Sequence, residues 1–285
     1  MKLGLSSYSL VRAIRSQQMD ILGGIDWIAE NGGEHVEIVP IGFSLTDNPE
    51  LIDAIREKAA AAGIEVSNYA IGANFITETR EQYESEIERV KREVDIAHGL
   101  GVKRMRHDVA SRKDNSIIRF QEDLEPLASA CRQIADYAAQ YGIVTSVENH
   151  GYYIQASDRV QALIHAVDRP NFRTTLDIGN FMCADENSVV AVQKNMPYAS
   201  MVHVKDFYWR PAHLNPGPGW LQTAGGNHLR GAIVGHGDID MRQVLGIVKR
   251  SGYDGYISVE FEGMEDCIAG SKMGLDNVRR LWDEV

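Results

Sequence analysis

The chain of 285 residues predicts a (β/α)8 barrel, a single α/β domain over residues 1–285 with a long lid loop after its seventh strand. Three observations carry this expectation. Short β-type runs alternate along the whole chain with longer helical ones, and there are eight of the former. No composition shift or low-complexity tract marks a linker. Polar and charged residues collect at the C-terminal ends of the later runs, where barrels of this kind build their sites.

The strand-like runs are Leu3–Tyr8, His35–Val39, Glu65–Ala70, Arg104–Val109, Val144–Glu148, Arg173–Ile178, Met201–Phe207 and Tyr256–Phe261. Helical patterns lie between them. Asn48-Pro49-Glu50 opens one that continues through Leu51, Ile52 and Ile55 to Ala62, with Gly63 to stop it. Glu81–Leu100 sets Ile87, Val90, Val94 and Ala97 on one face. Gln121–Tyr141 repeats the theme up to Gly142, Asp158–Val167 runs toward Pro170, and Asp240–Lys249 and Asn277–Trp282 complete the set. An open doubly wound sheet is the alternative, but no glycine-rich phosphate loop follows any strand. From Arg210 to His236 the sequence is rich in Gly, Pro and His without helical period. Its Trp220, Leu221, Leu229, Ile233 and Val234 predict an ordered lid.

Composition excludes several classes. A formal net charge of −11 opposes nucleic-acid binding, which needs clustered cations; Lys91-Arg92 and Lys249-Arg250 fall inside helical patterns. Cys131, Cys183 and Cys267 are dispersed and odd in number, which predicts free thiols in a reducing compartment. MKLGLSSYSL starts at once as a strand, with no signal-type apolar run, and no segment has the apolar length of a membrane span. A cytoplasmic location without membrane association is expected.

The stretch TSVENHG, 145–151, is the first functional cue, because a buried strand rarely ends in a carboxylate, an amide and an imidazole together. The sixth run, TTLDIGN, carries Asp177; the seventh, MVHVKDF, carries His203, Lys205 and Asp206; the eighth, ISVEFEG, carries Glu260 and Glu262. Four adjacent strands thus bring metal-competent side chains to one end of the barrel. Three carboxylates meeting there without a cation would repel one another, and a divalent metal removes that cost. The competing reading is a structural ion-pair network.

At Glu148, at TLDIGN around Asp177, at HVKD around His203 and at SVEFEG around Glu260, the chain resembles the xylose-isomerase-like sugar isomerase/epimerase superfamily. The resemblance covers nearly the whole chain and includes the GHGDID turn. It implies that Glu148, Asp177, His203 and Glu260 are ligands of one divalent ion, with Mn²⁺ preferred over Mg²⁺ or Co²⁺ for so oxygen-rich a set. It implies proton transfer by Glu148 and Glu260 through an enediolate of a small ketose or keto-polyol, and thus a metal-dependent isomerase or epimerase of carbohydrate metabolism. Glu37, Asn149, Lys205 and Asp206 are expected around the ligands. His107, Asn180, Arg210, Arg230 and His236 are the candidate substrate contacts. Arg230 could clamp an anion or pair with a surface acid, and His236 could be an auxiliary acid/base or a turn residue without a role. Trp209 and Trp220 are candidates to stack on a sugar ring or to pack the lid.

Two departures bear on the reaction. Asn180 stands where several epimerases of the family carry histidine, and Arg210 matches their substrate arginine only approximately. The alternative is therefore a metal-dependent lyase, either a keto-inositol-type dehydratase or the metal subunit of a C-glycoside-cleaving enzyme acting on 3-keto sugars. Phosphodiester cleavage would need further histidines, and a non-catalytic barrel would be expected to lose ligands. A homo-oligomer or a partner subunit is compatible with this reading.

Overall fold

The computed structural model describes residues 1–285. Eight parallel strands close a barrel: β1 (Lys2–Ser6), β2 (His35–Ile38), β3 (Glu65–Ile71), β4 (Arg104–His107), β5 (Val144–Glu148), β6 (Phe172–Asp177), β7 (Ala199–Val204) and β11 (Tyr256–Val259). Closure is made by β1, which pairs with β2 on one side and β11 on the other. The helices α1 (Val11–Arg15), α2 (Ile21–Glu30), α3 (Pro49–Ala62), α4 (Arg80–Gly99), α5 (Ile117–Ala139), α6 (Ser157–Val167), α7 (Ser188–Asn195), α8 (Met241–Arg250) and α9 (Cys267–Glu284) occupy the connections. None is long and apolar enough to cross a membrane.

Local chemistry sets several boundaries. Thr79 and Gln82 form a reciprocal capping box at the start of α4. Asn48 caps α3, Pro49 takes its first turn, and Gly63 ends it at φ 73°, a left-handed position that costs glycine little. The sequence patterns omit α1, α2 and α7 and find only the last part of α9. Gly23 and Gly24 interrupt the apolar face of α2, and Gly270 and Gly274 that of α9. Gly270 is there because Phe261 lies where a side chain would go, 2.6 Å from a Cβ.

Strand alternation separates two environments. Outward residues such as Val147, Leu176, Val202, Val204, Ile257 and Val259 are buried against the helices in one continuous apolar core. Inward residues are polar: Ser146 and Thr175 share a 2.8 Å hydrogen bond across β5 and β6, and Asn68 donates to Glu37 at 2.7 Å. Moving toward the C-terminal mouth, this inward row becomes the row of charged groups.

The segment after β7 is more ordered than the expected loop. Strands β8 (Asp206–Arg210), β9 (Leu221–Gln222) and β10 (His228–Ala232) form a small antiparallel sheet, in the order β8-β10-β9. Phe207 and Leu229 pack with Cys183, with Met182 and Leu221 at the edge. Gly231 lies so close to the chain after β11 that a Cβ would sit 2.2 Å from the Glu262 carbonyl. The ribbon is thus seated on the turns after β6 and β11. Proline and glycine between Pro211 and Gly219 hide its strand pattern in the sequence.

Candidate metal centre and active site

Glu148 and Asp177 are the last residues of β5 and β6, His203 lies near the end of β7, and Glu260 follows β11. Asp177 and His203 are register partners on neighbouring strands. One donor atom from each of the four lies within 4.8 Å of the others. His203 Nδ1 stands 3.8 Å from Glu148 Oε1, 4.0 Å from Asp177 Oδ2 and 3.9 Å from Glu260 Oε1. These separations exceed hydrogen-bond length and enclose a common centre.

The donors are oriented for that centre. Glu37 holds His203 through Nε2 at 2.7 Å, which turns Nδ1 inward. Asp177 Oδ1 accepts from the backbone N–H groups of Gly179 and Asn180, at 2.7 and 2.8 Å. Its Oδ2 and His203 Nδ1 are buried without any hydrogen-bond partner. Two orphaned polar atoms aimed at one point would be costly in a low-dielectric interior, and a cation between them removes the penalty. Asn149 ties the strand ends together: its amide donates to the Asp177 carbonyl at 2.8 Å, and its side-chain oxygen accepts the Asp177 N–H at 2.9 Å.

Two cations share the mouth with these acids. Arg106 approaches Glu148 Oε2 at 2.8 Å through Nε and Asp108 at 2.7 Å through Nη2, and donates to the Ile71 carbonyl at 3.1 Å. Lys205 Nζ lies 2.6 Å from Glu260 Oε2, 3.2 Å from Glu262 Oε2 and 3.5 Å from Asp177 Oδ2. Against them stand six carboxylates, Glu37, Asp108, Glu148, Asp177, Glu260 and Glu262, an excess of four negative charges when the His203 ring is neutral, as a metal ligand must be. Charge as well as geometry therefore suits a divalent ion, and three carboxylates with one imidazole form a hard donor set.

Titration behaviour follows from these contacts. Burial pushes the Asp177 carboxyl up to about 6, helped by Glu148 and Glu260 and opposed by Lys205. Burial pushes Glu148 the same way, but Arg106 and His203 overcome it and hold that carboxyl well below its usual range. For His203 burial favours the neutral ring, yet Glu37, Glu260 and Glu148 outweigh it and raise the imidazole well above its ordinary value. Lys205 is raised in the same way by Glu260, Asp177 and Glu262, against the cost of its burial.

A cavity of about 460 Å³ opens over this floor. Its lining includes Glu148, His203, Lys205, Glu260 and Glu262, the apolar Val39, Pro40, Ile41 and Ile71, and Arg106 and His150. Arg106 was not among the residues singled out in the sequence. Strand alternation carries the signal for it: in RMRHD, Arg104, Arg106 and Asp108 share the inward phase, whereas Met105 and His107 face the helices.

The other expected substrate contacts lie elsewhere. His107 is buried between Phe75 and Phe172, on the outer side of β4. Arg210 pairs with Asp238 at 3.5 Å and lies over Trp220, and Arg230 stacks on Tyr208 and Trp220. Trp209 and Trp220 belong to this ribbon. His236 is an exposed turn residue whose N–H donates to Ile233. None of these residues lines the cavity. Asn180 sits just beneath it, donating to Glu148 Oε1 at 2.9 Å and accepting from Lys205 at 3.3 Å. Asp206 faces away from the ligands. It accepts the backbone N–H groups of Gly235 and Gly237, both at 2.9 Å, and of Phe207, and so fastens the turn into α8.

A closed parallel barrel with four candidate metal donors at its C-terminal mouth defines the class of this chain. The chain belongs to the xylose isomerase-like TIM barrel family, whose model matches residues 25–281. It is 25% identical to the inosose dehydratase of Lacticaseibacillus casei over 265 residues, covering 79% of this chain and 88% of the relative. Among solved structures it resembles the D-psicose 3-epimerase of Clostridium cellulolyticum H10 with D-tagatose (TM-score 0.75, 16% identity, 99% of each chain). It also resembles the IolI protein with a bound zinc atom (TM-score 0.75, 16% identity, 100% of this chain and 97% of that one).

Proposed function

We propose that this protein is a divalent-metal-dependent enzyme that removes a proton beside the carbonyl of a small ketose or keto-polyol and then expels a hydroxyl group as water. Mn²⁺ suits the donor set best, with Mg²⁺ or Co²⁺ as alternatives. The ion, when bound, supplies a Lewis acid for the substrate carbonyl.

The observation that carries this reading is the difference between the two proton-transfer candidates. Epimerisation and isomerisation need two groups that can each give and take the proton at the same carbon. Here Glu148 is paired with a guanidinium that does not release a proton, so it is a weak base. Glu260 is paired with an ammonium, a proton donor, at 2.6 Å on the same wall of the cavity. In the proposed step Glu260 takes the proton from the carbon beside the carbonyl. A carbon–carbon double bond forms, the bond to the neighbouring hydroxyl breaks, and Lys205 supplies the proton that makes the leaving group water. Transfer from Glu260 to Lys205 restores both groups. The similarity in sequence to an inosose dehydratase supports elimination.

Epimerisation is the second reading, supported by the two ligand carboxylates that both reach the cavity. Incubation of the Mn²⁺-loaded protein with 2-keto-myo-inositol and with D-psicose in D₂O separates the readings by NMR. Loss of water with a new enone signal supports elimination. A new stereoisomer carrying deuterium at the inverted carbon supports epimerisation. Unchanged ketones without deuterium uptake reject both.

A further inference from the structure

We infer that the cavity selects an uncharged keto-polyol and rejects phosphorylated or carboxylated analogues; this rests on the proposed reading and adds the substrate's charge to it. Anion-binding pockets present cations with free N–H groups in a fork suited to phosphate or carboxylate. Every cation lining this cavity is already held by carboxylates. Arg106 is ion-paired with Glu148 and Asp108 and donates to Asp108 and the Ile71 carbonyl; of its nitrogens only the buried Nε lacks a directed hydrogen bond. Lys205 is taken by Glu260 and Glu262. Arg89, at the far rim, is bound twice by Glu86 at 2.8 Å, again by Glu93, and donates to the Gly72 carbonyl at 2.7 Å. His150 faces Asp108 at 3.1 Å.

The balance of charge points the same way. A divalent ion halves the excess of four negative charges without reversing it, so a phosphate dianion entering the cavity meets a net negative wall. The lid arginines do not correct this, since neither Arg210 nor Arg230 lines the cavity and Arg210 is paired with Asp238. Carboxylate oxygens instead suit hydroxyl donors, and Val39, Pro40 and Ile41 in the same lining suit the C–H face of a polyol ring.

The test compares matched pairs by calorimetric titration into the Mn²⁺-loaded protein: D-psicose with D-psicose 6-phosphate, and myo-inositol with myo-inositol 1-phosphate. The neutral member of at least one pair should bind ten-fold or more tightly than its phosphate, and added salt should narrow the gap by screening repulsion. Asp108→Asn, which frees one edge of Arg106 and removes a negative charge, should strengthen phosphate binding several-fold and narrow the gap between the members of a pair. Equal or tighter binding of the phosphates, weakened by salt, overturns the inference, and so does binding of neither member of either pair. Failure of the enolisation reading is seen separately, as absent deuterium uptake while the neutral preference persists.

Discussion

Arg106 Nε stands 2.8 Å from Glu148 Oε2, while the other oxygen of the same carboxylate accepts from Asn180 at 2.9 Å. This metal-competent acid therefore has one oxygen hydrogen-bonded and the other ion-paired before any ion or substrate arrives. The contacts keep it ionised and aim Oε1 toward His203. They also distinguish it from Glu260, whose nearest partner is a transferable proton on Lys205.

The pairing predicts a shift in pH dependence. The guanidinium lowers the Glu148 pKa, so Arg106→Gln should raise it, and protonation should then silence the site at a higher pH than in wild type. The acid limb of deuterium exchange by the Mn²⁺-loaded variant should move up by about one unit or more. An acid limb in its original place would assign it to another group of the site, with Asp177, raised to about 6, the first candidate.

Lys205→Met separates the two steps of the proposed reaction. Proton removal by Glu260 should survive, so deuterium uptake beside the carbonyl should remain within about ten-fold of wild type. Water loss should fall by at least about a hundred-fold, the usual scale of general-acid assistance. Parallel loss of both steps would assign Lys205 to positioning Glu260.

Glu37 acts on the centre through His203, and Glu37→Gln tests that relay. Replacing the carboxylate weakens the hold on Nε2 and lowers the basicity of Nδ1, so metal affinity should fall about ten- to a hundred-fold. Competition with a chromophoric chelator measures it. Unchanged affinity would leave Glu37 as a structural partner of Asn68 alone.

Asp206→Ala should behave in the opposite manner. Its carboxylate takes backbone N–H groups from Gly235 and Gly237, and Gly237 approaches so closely that a Cβ would lie 2.2 Å from Oδ1. Losing these charge-assisted bonds should cost about 2 kcal/mol or more of stability in denaturant titration, with metal affinity retained. A loss of metal affinity at full stability would restore the ligand-orienting role expected from the sequence.

The barrel and the convergence of four candidate donors were legible because both rest on short-range rules. Strand runs end where polar residues begin, and four successive ends carry Glu148, Asp177, His203 and Glu260. Glu37 was legible for the same reason, as an acid in an apolar strand. What failed depended on direction or on distant partners. His107 lies beside the mouth in sequence, yet a two-residue period turns it outward and Arg106 inward. Asp206 adjoins Lys205, but the next side chain along a strand faces the other way. Arg210, Arg230 and His236 were placed by the assumption of a loop, whereas pairing of β8 with β10 holds this segment as a ribbon whose arginines stack on its own aromatics.

His107 supplies the last prediction, a stability effect with a definite sign. Its Nδ1–H donates to the Asp108 carbonyl at 2.8 Å, and Nε2 is buried with no partner. Protonation would bury a second N–H with nothing to accept it, and burial accordingly lowers the imidazole pKa from 6.5 to about 4. The unfolded chain binds this proton near pH 6.5 and the folded chain only near 4, so stability is present above 6.5 and is lost as pH falls through that window. Between pH 7.5 and pH 5 the loss from this group is about 2 kcal/mol. His107→Phe, surrounded by Phe75 and Phe172, removes the titration while keeping an aromatic ring in place. Urea unfolding at the two pH values, with chelator present to exclude metal linkage, should show a smaller acid loss in the variant by that amount. Equal losses in both proteins would mean that the ring finds a proton acceptor when the folded chain is acidified.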